Sequence, residues 1–203
     1  MTRRIPGRTC AALLAATLAA CAGGQRSVDR AAFEHALESY LAEHGDLCLA
    51  KYDWPIDISA QDLARGSRDA VQLPVLEQLG VVRSTQTASG AQRYALTAAG
   101  QRSYRAREIP ARAGAPAHHG DFCAARLSLD QVVGWEFAPQ DPQHRHAVVT
   151  YTYRVDAASW AQDPRARRVF PAVARVLDGA RHAQLRQAFV LGADGWVAQD
   201  DPA

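Results

Sequence analysis

The sequence predicts an α+β fold, in which an N-terminal helical domain is followed by a small antiparallel sheet with one helix. Apolar residues recur at helical spacing between residues 33 and 41, and β-branched and aromatic residues dominate residues 147–155. Between these patterns, residues 105–118 are rich in Ala, Arg and Pro and have no apolar period. We therefore expect an α+β domain over 28–104, a linker over 105–118 and a β-rich α+β domain over 119–203.

The first element of the N-terminal domain is a helix from Val28 to about Glu43. Ser27 can cap its first turn, and Gly45 suits its C-terminal cap. Four apolar residues lie at i, i+4, i+7 and i+8 and form one stripe: Phe33, Leu37, Tyr40 and Leu41. After this helix, residues 52–58 alternate apolar and polar side chains, so we expect an extended edge segment there.

Residues 73–104 predict a short helix, two strands and a further helix. The first helix carries Pro74 in its first turn, and the strands cover 81–86 and 93–97. The sequence Tyr94-Ala95-Leu96-Thr97-Ala98-Ala99-Gly100 resembles the wing and following helix of winged-helix domains, where Y-x-L-T-x-x-G is common. The resemblance implies a winged-helix-like N-terminal domain in which Thr97 caps the last helix.

The C-terminal half predicts a small sheet crossed by one helix. Residues 122–137 read as two strands broken near Asp130, and residues 147–155 carry the strongest strand pattern of the chain. A helix is expected over 169–177 and a closing hairpin over 185–198. Three tryptophans fall in this half, and we expect them to fill its core: Trp135, Trp160 and Trp196. The alternative is that their rings stack on a small ligand.

The N-terminus carries a signal for export. Three arginines precede the apolar run 9–20, which is shorter than the roughly 20 residues that a membrane-spanning helix needs. The run ends in Leu18-Ala19-Ala20-Cys21, which resembles the bacterial lipobox. The resemblance implies that residues 1–20 are removed, that Cys21 is acylated, and that residues 21–27 tether the body to the bilayer. The alternatives are an ordinary secretory signal and an uncleaved apolar segment.

The residue after Cys21 bears on which membrane holds the protein, and the net charge bears on whether it binds nucleic acid. Ala22 stands where an inner-membrane retention signal usually has Asp, so the resemblance implies the outer membrane, with the body facing the periplasm. The chain has 23 Lys and Arg against 21 Asp and Glu; without Arg3, Arg4 and Arg8 the balance is 20 against 21. A near-neutral protein outside the cytoplasm lacks the electrostatic support for binding nucleic acid.

Two of the four cysteines remain free to pair. Cys10 is lost with the signal and Cys21 carries lipid, which leaves Cys48 and Cys123. In an oxidising envelope compartment such a pair most often forms a disulfide, and we expect one here. The alternatives are two buried free thiols and a metal site.

The two cysteines lie in similar segments. Residues 44–51 read His-Gly-Asp-Leu-Cys-Leu-Ala-Lys and residues 119–126 read His-Gly-Asp-Phe-Cys-Ala-Ala-Arg. Two similar turns joined by a disulfide would explain this repeat. An alternative is a zinc site whose ligands come from both segments: His44, Cys48, His119 and Cys123.

Known catalytic patterns are absent from the sequence: it has no G-x-S-x-G, H-E-x-x-H, phosphate loop or G-x-G-x-x-G. We read His144-Arg145-His146 as an exposed turn and the basic run 165–168 as a solvated helix face, with metal and lipid headgroups as the respective alternatives. An enzyme with an unrecognised site is a third hypothesis, and it would use Asp46 or Asp121 beside His44 or His119.

The C-terminal phrases Val149-Thr150-Tyr151-Thr152-Tyr153, Phe170-Pro171 and Asp194-Gly195-Trp196-Val197, together with the wing-like segment, look like those of a set of proteobacterial envelope lipoproteins to which no activity is assigned. We therefore expect a membrane-anchored, non-enzymatic protein with a structural or protein-interaction role, no cofactor and an envelope protein as its partner. The alternative is a periplasmic lipoprotein that binds a small ligand or a metal.

Overall fold

The computed structural model describes residues 21–111, 114 and 116–199, with the backbone alone described for 21–29. The expected signal peptide, residues 1–20, lies outside the described residues. Strands account for 40% and helices for 32% of the structure, whose main feature is a curled antiparallel sheet forming a half-barrel. The prediction of an N-terminal helical, winged-helix-like domain followed by a small sheet with one helix is therefore wrong, because the sheet dominates the fold.

The helices, in chain order, are α1 (Cys21–His44), α2 (Ala60–Arg65), α3 (Arg68–Gln78), α4 (Ala98–Gln101), α5 (Ser159–Gln162), α6 (Pro164–Val169) and α7 (Pro171–Asp178). The strands are β1 (Asp46–Cys48), β2 (Ile56–Ile58), β3 (Val82–Gln86), β4 (Gln92–Leu96), β5 (Tyr104–Ile109), β6 (His118–Phe137), β7 (His146–Ala157), β8 (Leu185–Gly192) and β9 (Gly195–Ala198).

The half-barrel is built around the long strand β6. Its strands are hydrogen-bonded in the order β1-β6-β7-β8-β9, and β5 also pairs with β6. The break predicted near Asp130 is a bulge in one continuous strand, since the β6–β7 register shifts between Leu129 and Gln131 and again between Val132 and Gly134. The Asp130 carboxylate accepts a hydrogen bond from Nε of Arg154 on β7 at 2.9 Å, which ties the bulge to the neighbouring strand.

Helix α1 packs its apolar stripe against this sheet. Phe33, Leu37 and Leu41 are buried with Val149 and Phe189 of the sheet, as the helical spacing predicts. The helix begins at Cys21, earlier than predicted, so the residues that we expected to be a tether are helical. It ends before Gly45, whose N–H donates to the Leu41 carbonyl at 2.9 Å.

A second sheet has the strand order β2-β4-β3. Together with α2 and α3 it packs near the start of β6, around Phe122. The predicted hairpin β3–β4 is present, and the Thr97 hydroxyl caps α4 by accepting from the Gly100 N–H at 3.1 Å. Pro74, however, lies inside α3, which begins six residues earlier behind its cap Ser67. The core between this second sheet, α3 and β6 contains residues from both halves of the chain, because Leu73 and Leu76 are buried with Phe122 and Trp160.

The segment expected to be a linker contributes to the half-barrel. Residues 105–109 of this segment belong to β5. This strand pairs with β6, from Tyr104 opposite Phe122 to Ile109 opposite His118. The helix expected over 169–177 is present as α7, which begins at Pro171; two further short helices, α5 and α6, precede it, and Pro164 stands at the start of α6. Among the described helices, none is both long and apolar enough to cross a membrane.

Candidate functional site

The two cysteine segments meet as neighbouring strands of the half-barrel. Cys48 of β1 lies directly opposite Cys123 of β6, and their sulfur atoms are 2.01 Å apart. The predicted disulfide is confirmed, and it joins residues 75 positions apart. Because each sulfur is bonded to the other, neither can serve as a zinc thiolate, so the Cys₂His₂ alternative does not fit these side chains.

The repeat places each aspartate near the basic end of the other segment. Asp46 pairs with Arg126 across the β1–β6 ladder, with 3.4 Å between Oδ1 and Nη1. In the reciprocal position, Oδ1 of Asp121 accepts the backbone N–H of Lys51 at 2.9 Å. Each aspartate therefore contacts a residue near the far end of the other segment, Asp46 through a side chain and Asp121 through a backbone N–H.

The glycines of the repeat are needed for close packing. A Cβ atom on Gly45 would lie 2.5 Å from the carbonyl oxygen of Leu127 and closer still to that of Leu41. One on Gly120 would collide with the Tyr104 ring. Both positions therefore require the absence of a side chain.

The core beside the disulfide contains a buried charged group. Lys51, the only lysine of the chain, is 1% exposed, and its Nζ lies 2.5 Å from Oδ1 of Asp69 in the first turn of α3. Burial lowers the pKa of the Lys51 ammonium, and the hydrogen bond to Asp69 acts in the opposite direction. Nothing in the sequence marked Lys51 and Asp69 as a pair, and the one available signal was a lone lysine among 22 arginines.

A second buried charge, Asp121, is held by the backbone. It is 3% exposed, and it accepts hydrogen bonds from the N–H groups of Ala50 at 3.2 Å, Lys51 at 2.9 Å and Phe122 at 2.7 Å. Ala50 has φ of +53°, a left-handed conformation that aims successive N–H groups at the carboxylate. Burial raises the pKa of Asp121, while these hydrogen bonds lower it.

The loop after β1 surrounds this cluster with paired side chains. His118 Nδ1 lies 2.5 Å from Oδ2 of Asp53, and the Tyr52 ring stacks on His118 at 4.0 Å between centroids. Trp54 donates its indole N–H to the Lys51 carbonyl at 3.1 Å and packs on Phe122. The side chains around Lys51 and Asp121 thus make hydrogen bonds and ring contacts of their own.

The histidines that sequence reasoning singled out have other contacts. His44 stacks on Tyr40 at the end of α1, and His119 is hydrogen-bonded to Glu108 at 2.8 Å, which raises the pKa of His119. The described residues contain no group of three His, Cys, Asp or Glu that could hold a metal. The Asp46 carboxylate is bonded to Arg126 and that of Asp121 to backbone amides, so within the described residues neither carboxylate pairs with His44 or His119.

Side chains of the turn 138–146 and of the basic run 165–168 also contact neighbouring side chains of the protein. His144 stacks on Phe137 at 4.5 Å between centroids, and His146 is bonded to Asp141 at 2.9 Å. In the basic run, Arg165 pairs with Asp163 and Arg167 with Asp178.

The three tryptophans fill the two cores rather than a common ligand site. Trp160 is buried and donates its indole N–H to the Ser103 hydroxyl at 2.9 Å. Trp135 and Trp196 pack on Phe33 of α1, with ring centroids 5.4 and 4.7 Å away. Trp196 lines a cleft of about 370 Å³ beside α1, a volume within the range of ligand pockets, but neither Trp135 nor Trp160 is among the residues that line it.

The arrangement around the disulfide therefore joins the two sheets and stabilises them. Comparison with known proteins adds no relative: no protein-family model, curated protein or solved structure matches this chain.

Proposed function

We propose that this protein is a non-enzymatic lipoprotein of the bacterial envelope, anchored through acylated Cys21 to the outer membrane and facing the periplasm, where it binds or supports another envelope protein. The Cys48–Cys123 disulfide is the observation that carries this proposal. Disulfides persist in oxidising compartments outside the cytoplasm, which is where a lipobox would send the chain.

The charged cluster supports a non-catalytic role. The Lys51 ammonium is bonded to Asp69, and the Asp121 carboxylate is bonded to three backbone N–H groups. The Lys51–Asp69 bond and the backbone N–H groups around Asp121 hold these charged groups in fixed positions, whereas a catalytic acid or base must face a substrate. A cluster that joins two sheets suits a rigid body that presents its surface to a partner.

Intact mass of the protein extracted from membranes tests the anchor. We expect a chain that begins at Cys21 and carries the added mass of its acyl chains. These chains should hold the protein on the membrane, because each buried CH₂ adds about 0.8 kcal/mol of membrane affinity. Cys21→Ser should abolish acylation and membrane association, whereas Cys10→Ser, in the removed signal, should change neither. An unmodified Cys21 in the wild-type protein would exclude the proposed anchor.

Crosslinking in intact envelopes tests the partner. A reproducible protein partner should be recovered with the wild-type chain and lost with Cys21→Ser, since the anchor concentrates the protein at the membrane. Failure to recover any reproducible partner would count against the interaction role.

A further inference from the structure

We propose that one end of the half-barrel lies on the lipid headgroup layer; this inference depends on the proposed acylation of Cys21. We call it the anchor end and define it by the turns 138–145 and 193–194 and by the aromatic side chains that lie behind them: Trp135, Phe137 and Trp196. The two turns are neighbours, because the Leu191 N–H donates to the Arg145 carbonyl at 2.7 Å.

The course of α1 selects this end. Near its C-terminus, the Gly45 carbonyl accepts the Leu127 N–H at 2.7 Å, and further toward its N-terminus Phe33 packs on Trp135. Helix α1 therefore runs antiparallel to β6. Its N-terminus leaves the body on the side where β6 ends at Phe137 and the turn 138–145 begins.

The remaining helix is short. Arg30 donates to the Val132 carbonyl, and its guanidinium lies 5.6 Å from the centre of the Trp135 ring. Between Arg30 and Cys21 α1 adds about 14 Å at 1.5 Å per residue. The strand from Trp135 to Phe137 adds about 7 Å in the same direction, and the turn extends beyond it. An acyl group on Cys21 therefore brings the turn within reach of the headgroup layer, which is roughly 5 to 8 Å thick on each side.

The side chains of this end suit an interface between lipid and water. Trp135, Phe137 and Trp196 are each half-buried, and Val133 on β6 is 43% exposed. Tryptophan, which combines an apolar ring with a polar N–H edge, is enriched at the headgroup level of membrane proteins, and Phe137 and Val133 add apolar surface beside the two tryptophans.

Charge does not drive this contact. The anchor end as defined carries one basic side chain, Arg145, and two acidic ones, Asp141 and Asp194, and the Asp141 carboxylate is bonded to the Arg145 and His146 N–H groups. The anchor, rather than electrostatic attraction, holds this surface at the bilayer, so the contact should be insensitive to salt.

Fluorophores attached to single introduced cysteines test the orientation. Gln140→Cys and Ala193→Cys place the label on the two exposed turns of the anchor end. Ala88→Cys places the label in the exposed β3–β4 turn. The sheet that carries this turn packs near Phe122, at the start of β6 and away from the anchor end. The acylated full-length protein is reconstituted into phosphatidylethanolamine–phosphatidylglycerol vesicles that carry a nitroxide on the headgroup, and intact mass confirms that Cys48 and Cys123 remain bonded.

We expect quenching at positions 140 and 193, unchanged by high salt, and no quenching at position 88. Quenching at 88, or equal fluorescence at all three positions, in protein that floats with the vesicles would overturn the orientation while leaving the anchor intact. The Cys21→Ser forms of the labelled proteins should neither float nor be quenched. Protein that fails to float and has an unmodified Cys21 would instead overturn the proposed function, and this inference with it.

Discussion

The ammonium nitrogen of Lys51 lies 2.5 Å from a carboxylate oxygen of Asp69, and this contact links the segment after β1 of the half-barrel to α3. Lys51 lies three residues beyond the end of β1, and Asp69 lies in the first turn of α3, where a carboxylate also interacts favourably with the helix dipole. The pair therefore fixes how two parts of the chain pack together.

Replacing Lys51 by alanine should lower the free energy of unfolding by about 2–3 kcal/mol, because it leaves a cavity and an unpaired, partly buried Asp69. Lys51→Met keeps most of the volume but also leaves Asp69 without its partner, so its loss should be smaller than that of Lys51→Ala by the cavity contribution. The exposed Arg83→Ala is the matched control and should stay within about 0.5 kcal/mol. Urea unfolding measures all three, and equal losses for Lys51→Ala and Arg83→Ala would contradict the role of the pair.

The pKa of Asp121 should be above the usual 3.8, because burial disfavours its charged form. A raised pKa means that the native state binds the proton more tightly, so this group's contribution to stability is complete below pH 3.8. That contribution is lost as the pH rises through the folded-state pKa. Carboxyl ¹³C NMR titration measures this directly. The exposed Asp163 is the internal control, since its hydrogen bond to Arg165 lowers its pKa to about 2. If Asp121 titrated at or below 3.8, the prediction would be wrong.

Removing the disulfide should cost about 4 kcal/mol of stability, because the bond closes a long loop in the unfolded chain. The test compares urea unfolding of the oxidised wild type with that of the Cys48→Ser/Cys123→Ser double variant. Reductant should shift the wild type toward the double variant and leave the double variant unchanged. A double variant as stable as the oxidised protein would exclude the predicted stabilisation.

Gly45→Ala should destabilise the protein by about 1–3 kcal/mol, because the added methyl group would be forced against two backbone carbonyls. Gly134→Ala on β6 is the matched control, since its Cβ would meet no atom within 4 Å. We expect that change to stay within about 0.5 kcal/mol. Thermal unfolding of both variants distinguishes them, and similar losses would show that the packing around Gly45 relaxes easily.

Local patterns were sufficient for elements whose structure depends on their own residues. The stripe from Phe33 to Leu41 predicted α1, the run 147–155 predicted β7, and the turn residues 192–195 predicted the β8–β9 hairpin. The disulfide was predicted by eliminating the other two cysteines and by compartment chemistry. The fold class was not predictable in this way, because β1 is a three-residue strand stabilised by pairing with the distant β6, and β5 lies in a segment that has no apolar period.

The sequence by itself determined the helical stripe, the strongest strand, the closing hairpin and the cysteine pair, because each follows from nearby spacing or from residue chemistry. Only the tertiary structure decided that β1 of the N-terminal half joins the sheet of the C-terminal half, that both halves contribute to each of the two cores, and that Lys51 is buried. Lys51 is 18 residues from Asp69, and its backbone N–H binds a carboxylate 70 residues away. Contacts at such separations depend on how strands pair across the whole chain, and no local period encodes that pairing.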